Sequence, residues 1–202
     1  MAVIDSRRSG VLPPLTREGI KDPTDSLRKW ISGLTGIPIE KVRRRWISKP
    51  GTRPSIEEDW CAVGVERVRT HGTPEQRGIR GDLENTESGQ AIRISHQSLS
   101  CVASFYGPHA QVLADDFREG CLLPQNSSAL EAIAGCAVQS VEEEVLHIPD
   151  FLYEQWIDRY DVRFAIGRKI ERTFGVRTLC AIGEVKTYSD RGSNDTSFPP
   201  GI

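Results

Sequence analysis

Apolar positions recur along this chain with two spacings, one of two residues and one near three and a half, and the switches between them mark out strands and helices. Leu27, Trp30, Ile31 and Leu34 fall at helical spacing. Thr24 or Asp25 is placed to cap that helix, and Gly33, Gly36 and Pro38 end it. From Val42 to Ser48 the chain alternates, with Val42, Arg44 and Trp46 on one face and Arg43, Arg45 and Ile47 on the other. Pro50, Gly51 and Pro54 break that run. Trp60 to Val68 is a strand of strong β formers. Residues 70–90 carry Gly72, Pro74, Gly78, Gly81 and Gly89 among charges, which predicts a long exposed hairpin loop. Loops of that length in compact domains are usually functional or disordered. The strand pattern returns from Ala91 to Tyr106, where Gly107-Pro108 stops it because proline has no N–H for the ladder.

The period changes at His109. Ala110, Leu113, Ala114 and Phe117 lie at helical spacing, with Gly120 as the expected C-cap. Asn126 or Ser127 is expected to cap a second, short helix with Leu130, Ile133 and Ala134 turned inward. Ala137 to Ile148 reads as a strand through Val138, Val141, Val145 and Ile148, and Pro149 to Gln155 as a turn or short helix. Asp158 to Arg172 alternates Tyr160, Val162, Phe164 and Ile166 with Asp161, Arg163, Ala165 and Gly167, a half-buried strand. Thr173-Phe174-Gly175 is expected to turn it into an antiparallel partner over Val176 to Tyr188.

Strands come as hairpins and the helices are grouped in the middle, which points to an α+β fold: an antiparallel sheet of long hairpins with two or three helices packed on one face. The expected organisation is an N-terminal arm over residues 1–22, a single domain over 23–188 and a flexible C-terminal tail over 189–202.

Composition narrows the function classes. At 202 residues the length suits one domain with arms, and an apolar content of 38% predicts a modest core with a large polar perimeter. A formal net charge of −2 gives no whole-chain case for nucleic-acid binding. Arg7 and Arg8 are followed by Pro13 and Pro14 rather than an apolar run, so no export signal is expected, and no stretch reads as a membrane span. The five cysteines, Cys61, Cys101, Cys121, Cys136 and Cys180, form no C-x-x-C pair and read as buried reduced thiols.

Catalytic and metal chemistry finds little support. His71, His96, His109 and His147 are scattered, Ser98 and Ser100 lack a nucleophile-elbow context, and Gly64 and Gly78 to Gly81 form no phosphate loop. Asp115-Asp116 is the best acidic pair, and solvation of a helix face explains it. Glu142 and Glu144 share a face but lack completing ligands, so they read as a solvated edge or as an acidic contact surface for a basic neighbour. No cofactor is expected.

Several stretches in order resemble one family. Trp60-Cys61-Ala62-Val63-Gly64-Val65 resembles an early strand of the phage neck and tail terminator proteins, and Ser104-Phe105-Tyr106-Gly107-Pro108 with Ala110 their strand-to-helix junction. Phe117-Arg118-Glu119-Gly120 and Gln125-Asn126 are similar to their helix end and next cap. His147-Ile148-Pro149 with Trp156, Arg159 and Asp161 is similar to the lead into their last hairpin. The resemblance spans roughly Leu27 to Tyr188.

It implies a virion structural protein rather than an enzyme: a ring, typically sixfold, that caps the finished tail tube and joins it to the head-side connector. Its partners would be further copies of itself, the tube protein and the connector or adaptor protein. Genome DNA would pass through the lumen without specific binding, and assembly would take place in the host cytoplasm. A head-completion or adaptor protein is the nearest alternative, and a nucleic-acid-binding accessory protein using Arg43 to Arg45 the next. The candidate interface residues are Arg43, Arg44, Arg45, Arg77, Arg80, Glu142, Glu144, Arg159, Asp161 and Arg163. Trp60, Phe105, Tyr106, Gly107, Pro108 and Trp156 are expected to build the structural junction. Arg44 shares a face with Val42 and Trp46 and so needs a partner, for which an inter-subunit acid is favoured. Arg159 and Asp161 share a strand face and are expected to pair with each other or across the hairpin, fixing the last hairpin for ring contact.

Overall fold

The structure is a computed structural model and describes residues 11–18, 20–46, 54–79, 89–152 and 154–176. Nine strands and three helices make up the described fold, with a 3-10 turn over Ile39–Lys41. The strands are β1 (Thr16–Glu18), β2 (Val42–Arg44), β3 (Trp60–Ile79), β4 (Gly89–Tyr106), β5 (Cys136–Val141), β6 (Leu146–His147), β7 (Asp150–Leu152), β8 (Gln155–Ile157) and β9 (Arg159–Val176). The helices are α1 (Thr24–Thr35), α2 (Ala110–Cys121) and α3 (Pro124–Ala134). This is the expected α+β architecture, antiparallel except where β2 runs parallel to β3.

Three long strands carry the sheet. β4 lies between β3 and β9, and its pairing with β9 is unbroken from Gly89↔Val176 to Tyr106↔Arg159. The second edge of β9 is filled in turn by β6 at Tyr160–Asp161, β5 at Phe164–Arg168 and β1 at Glu171–Thr173. The second edge of β3 is different. β2 covers it only at Cys61–Val63, and no other described strand pairs there.

Helices cover one face of one end of this sheet. α2 buries Ala110, Ala114, Phe117 and Cys121, a stripe at helical spacing, against β4 and β9. α1 buries Leu27, Trp30 and Ile31 against β2 and β3. Phe117 is the hub: Trp30, Phe105 and Phe164 stand 5.6, 5.6 and 5.4 Å from it, in edge-on or tilted contacts. Cys61, Cys101, Cys121 and Cys136 are buried and unbridged, and burial pushes the Cys101 and Cys121 thiols up to about 12. They fill space as small hydrophobes. Among the described residues no helix is long and apolar enough to cross a membrane.

Several element boundaries differ from the sequence reading, each for a local reason. Thr24 is the first helical residue of α1, and the Asp22 carboxylate caps the turn by accepting the Thr24 N–H at 3.0 Å and its hydroxyl at 2.6 Å. Gly36 does end α1, with φ 73°. Gly120 is not a C-cap: it lies inside α2, where a Cβ would press within 3.3 Å of Leu34. α3 starts with Pro124 at its first turn, so Asn126 and Ser127 do other work. Asn126 donates to the Gly120 carbonyl, and the Ser127 hydroxyl accepts from the Val138 N–H. Ile133 is 48% exposed rather than inward.

The strands are longer than their apolar pattern. Residues 70–79 belong to β3, which absorbs Gly72 and Pro74 in a register shift between His71 and Glu75. Thr173-Phe174-Gly175 is strand, not a turn, and pairs with Ile92, Ala91 and Gln90. Pro149 to Gln155 is not a helix: it holds β7 and the tight turn of the β7–β8 hairpin, with Glu154 at φ 63° in that turn. β2 ends at Arg44, and the predicted Ala137–Ile148 strand is split into β5 and β6. Part of the expected N-terminal arm is β1. Arg80, the expected partner strand over residues 177–188 and the tail lie outside the described residues.

Phe117→Ala should cost about 3–5 kcal/mol of unfolding free energy, because it empties the centre of the aromatic cluster. Val112→Ala on the outer side of α2 should stay within about 0.5 kcal/mol. Urea unfolding followed by tryptophan fluorescence checks both.

Candidate assembly surface

The expected junction is present at the end of the sheet where β3 starts and β4 stops. Trp60 and Tyr106 are directly opposite in register, and their rings stack at 4.0 Å and 2°. Phe105 points the other way into the core and is fully buried. Gly107 has φ 108°, and a Cβ there would lie 2.6 Å from the Glu58 carbonyl oxygen, so only glycine fits between the strand end and that segment. Asp59 then starts α2, accepting the His109 N–H at 2.9 Å and meeting the His109 ring Nδ1 at 2.9 Å. Asp59 was not singled out from the sequence. Its signal is its register position just before Trp60, which becomes visible only once β3 and α2 are known to be neighbours.

The β7–β8 hairpin sits beside this junction. Trp156 is 71% exposed and packs edge-on against Phe151 at 5.3 Å. A groove of about 260 Å³ runs between the hairpin and the sheet end, lined by Ile56, Trp60, Tyr106, Pro108 and Trp156 among others. The six junction residues are therefore close in the fold, with Phe105 on the core side and Trp156 on the solvent side.

Arg159 and Asp161 form the pair that their shared strand face predicts. Two parallel contacts, Nε to Oδ1 at 2.9 Å and Nη2 to Oδ2 at 2.7 Å, join guanidinium to carboxylate. Asp161 is 2% exposed. Arg159 also reaches Asp150 at 3.3 Å, which ties the start of β7 to β9. These hydrogen bonds, with the nearby Asp161 charge, push the Arg159 pKa up against the opposing effect of burial. The pair is a buried clamp on the hairpin, so its loss falls first on folding.

Arg44 has a partner, but within its own chain. Its guanidinium meets Asp25 at 2.5 and 3.0 Å and Asp22 at 2.9 Å, fastening β2 to the start of α1. The inter-subunit acid favoured from the sequence is not needed to satisfy it. Arg45 leaves the strand pattern and donates to the buried Ser104 hydroxyl. The Trp46 ring beside it lies over Gly64, where a side chain would collide with it. Arg43 is half-buried opposite Ala62. The Arg43–Arg45 run is therefore not a free basic stripe.

Of the remaining candidates, Glu142 lies beside Arg163 while Arg77 stands apart on β3. Arg77 pairs with its strand neighbour Glu75 at 2.9 Å on the outer part of β3. Glu142 and Glu144 are exposed, and both follow the end of β5 rather than alternating on a strand. The Glu142 N–H donates to the Arg163 carbonyl. Arg163, Glu142, Glu66 and Arg67 line an open groove of about 490 Å³ on the side of the sheet away from the helices. Glu143 and Asp115 line another, of about 250 Å³, with Arg118 and Tyr160.

A family model described as phage neck terminator protein matches residues 22–192. The chain belongs to the phage neck terminator protein family. Membership makes it a structural component of the virion neck. The match covers nearly the same stretch as the resemblance seen in the sequence. No curated protein matches this chain.

Two outcomes follow from the ion pairs of this neck protein. Asp161→Ala leaves the mostly buried Arg159 guanidinium with Asp150 as its remaining acid and should cost about 3 kcal/mol in urea unfolding. Asp161→Ala with Arg159→Met should recover part of that loss. Acid titration reads the Arg44 cluster. The Asp25 pKa is lowered by the Arg44 hydrogen bond. That of Asp22 is lowered although burial opposes it, through Thr24 hydrogen bonds and the Arg44 charge. A depressed folded pKa gives stability that is complete above the unfolded carboxylate value, about 3.9, and is lost as pH falls through the lower folded value. Arg44→Gln should therefore flatten the fall in stability below about pH 4, measured by circular dichroism.

Proposed function

We propose that this chain is the subunit of a closed ring, a hexamer, that caps the tail tube and joins it to the head-side connector. The observation that carries the reading is the long β3–β4–β9 sheet with its open edge. β3 has 20 residues, a span of roughly 65 Å at about 3.3 Å per residue, while the helices cover only the end near Tyr106. From Val65 onward its outer edge has no described partner strand. A soluble monomer gains nothing from so long a hairpin with no described strand along its outer edge, since such an edge is a liability. A ring subunit lays it against a neighbour.

The mechanism is steric and interfacial, with no catalytic step. A closed ring on the tube end stops further addition of tube protein and presents a docking surface to the connector. DNA passes through the lumen without specific contacts, consistent with a net charge of −2 and with the engagement of Arg44 and Arg45 inside the subunit. Assembly takes place in the host cytoplasm. Arg77, Glu142, Glu144 and Arg163 remain candidates for subunit contacts, since all four lie on exposed parts of the sheet or its edge loops.

Negative-stain imaging of lysates from a phage with this reading frame stopped early tests the role. Filled heads lying apart from tails of irregular length are the expected result. Intact virions would overturn it, and leaking heads beside normal tails would move the chain to head completion.

A further inference from the structure

Register places three arginines side by side across β1, β9 and β4, at the end of the sheet away from the helices. Arg172 on β9 is directly opposite Arg17 on β1 and directly opposite Arg93 on β4. Directly opposed residues project from the same face, and neighbouring strands are about 4.8 Å apart, so the three guanidinium stems form one row. Arg168 stands on that face four residues before Arg172. On the described strands this face carries no Asp or Glu: its positions around the row include Ile170, Phe174, Ala91, Ser95, Gln97 and Gln76.

The opposite face is built differently. There Lys169 pairs with Glu171, and Arg77 with Glu75. Arg17, Arg93 and Arg172 make no ion pair or hydrogen bond among the described residues, and Arg168 donates only to Gln97 and the Lys21 carbonyl. Like charges directly opposite each other destabilise a sheet. The row therefore works against the fold of the lone subunit, and folding does not account for it.

The complementary charge lies at the other end of the same molecule. Asp115 and Asp116 on α2 and Glu142, Glu143 and Glu144 after β5 are exposed and make no described ion pair. Asp115 and Glu143 share the groove beside Tyr160, where Arg118, the one cation among the described lining residues, leans to Glu119 at 3.5 Å. Glu142 is held beside Arg163, nine residues along β9 from Arg172, about 30 Å in an extended strand. β9 is a single unbroken strand, so one chain cannot bring its own row to its own acids.

We propose that the Arg17–Arg172–Arg93 row of one copy docks on the Asp115 and Glu142–Glu144 surface of the next copy. The two surfaces are different patches of one chain, so the contact is head-to-tail and propagates around a ring. The inference rests on the ring reading given above and names the surfaces that close it. A second copy fits better than nucleic acid because the chain itself supplies the matching acids.

The experiment is complementation of the phage with the stopped reading frame, by plasmid-borne full-length variants. Arg93→Glu with Arg172→Glu should reduce plaque formation by about 100-fold or more, since like charges then face each other between copies. Asp115→Lys with Glu142→Lys and Glu143→Lys should do the same. All five substitutions in one chain should restore it, because the attraction is then reversed rather than lost. Circular dichroism melting of each purified variant confirms the fold. Wild-type complementation by either reversed variant, or a five-fold variant as inactive as the other two, would overturn the proposal while leaving the terminator role intact. A wild-type chain that is not needed for virions would instead remove the role itself. If the Arg93→Glu, Arg172→Glu variant alone loses salt-sensitive retention of duplex DNA and is not rescued, the row contacts phosphate and the copy-to-copy pairing is wrong.

Discussion

The unbroken pairing of β4 with β9 is the constraint on which the rest of the structure depends. Eighteen consecutive partners without a bulge keep strand parity constant from Tyr106↔Arg159 to Gly89↔Val176. Side chains on one face therefore pass from the helix-covered core, through Phe164, Ile166 and Ile170, to the arginine row at Arg172. Those on the other pass from the buried Asp161 to the exposed Lys169. A single slip would exchange the two faces everywhere at once. The same strand thus fixes the core, the buried clamp and the spacing between the basic and acidic surfaces.

Around that strand the two ends are held by different physics. The end near Tyr106 is a packed core: Phe117 among Trp30, Phe105 and Phe164, with the Arg159–Asp161 clamp tying down the β7–β8 hairpin. The far end is held by ladder hydrogen bonds and the short edge strand β1, with few large buried side chains beyond Ile94 and Ile170. In the proposed ring such a division would let a rigid body set position while an extended sheet makes contact. Ring closure would supply to the far end the burial that the lone chain lacks.

Much of this was legible in the sequence. Helix positions followed from Leu27, Trp30 and Ile31 and from Ala110, Ala114 and Phe117, because a stripe packed on a sheet leaves a clear period. The family was legible because its motifs sit at the tight places: Gly107 against Glu58, Gly64 under Trp46, Asp161 with Arg159. The lengths of β3 and β9 were not. Beyond the core, β3 is exposed at nearly every position from Glu66 to Arg77, the apolar alternation disappears, and Gly72 and Pro74, like Gly175 in β9, read as turn residues although they lie in strands. Arg44 was assigned an outside partner because Asp22 and Asp25 lie about twenty positions away and come near only when α1 packs on β2. The row of Arg17, Arg93 and Arg172 is invisible without register, being scattered over more than 150 residues.

The most direct test of the account is a side-chain-resolution electron cryomicroscopy reconstruction of the neck in intact virions. The account predicts a closed ring of this chain at the head-proximal end of the tail tube, with the uncovered part of β3, β4 and β9 of each copy lying on its neighbour. Copies that touch only the tube or the connector and not one another, or hairpins that line the lumen against DNA, would contradict it.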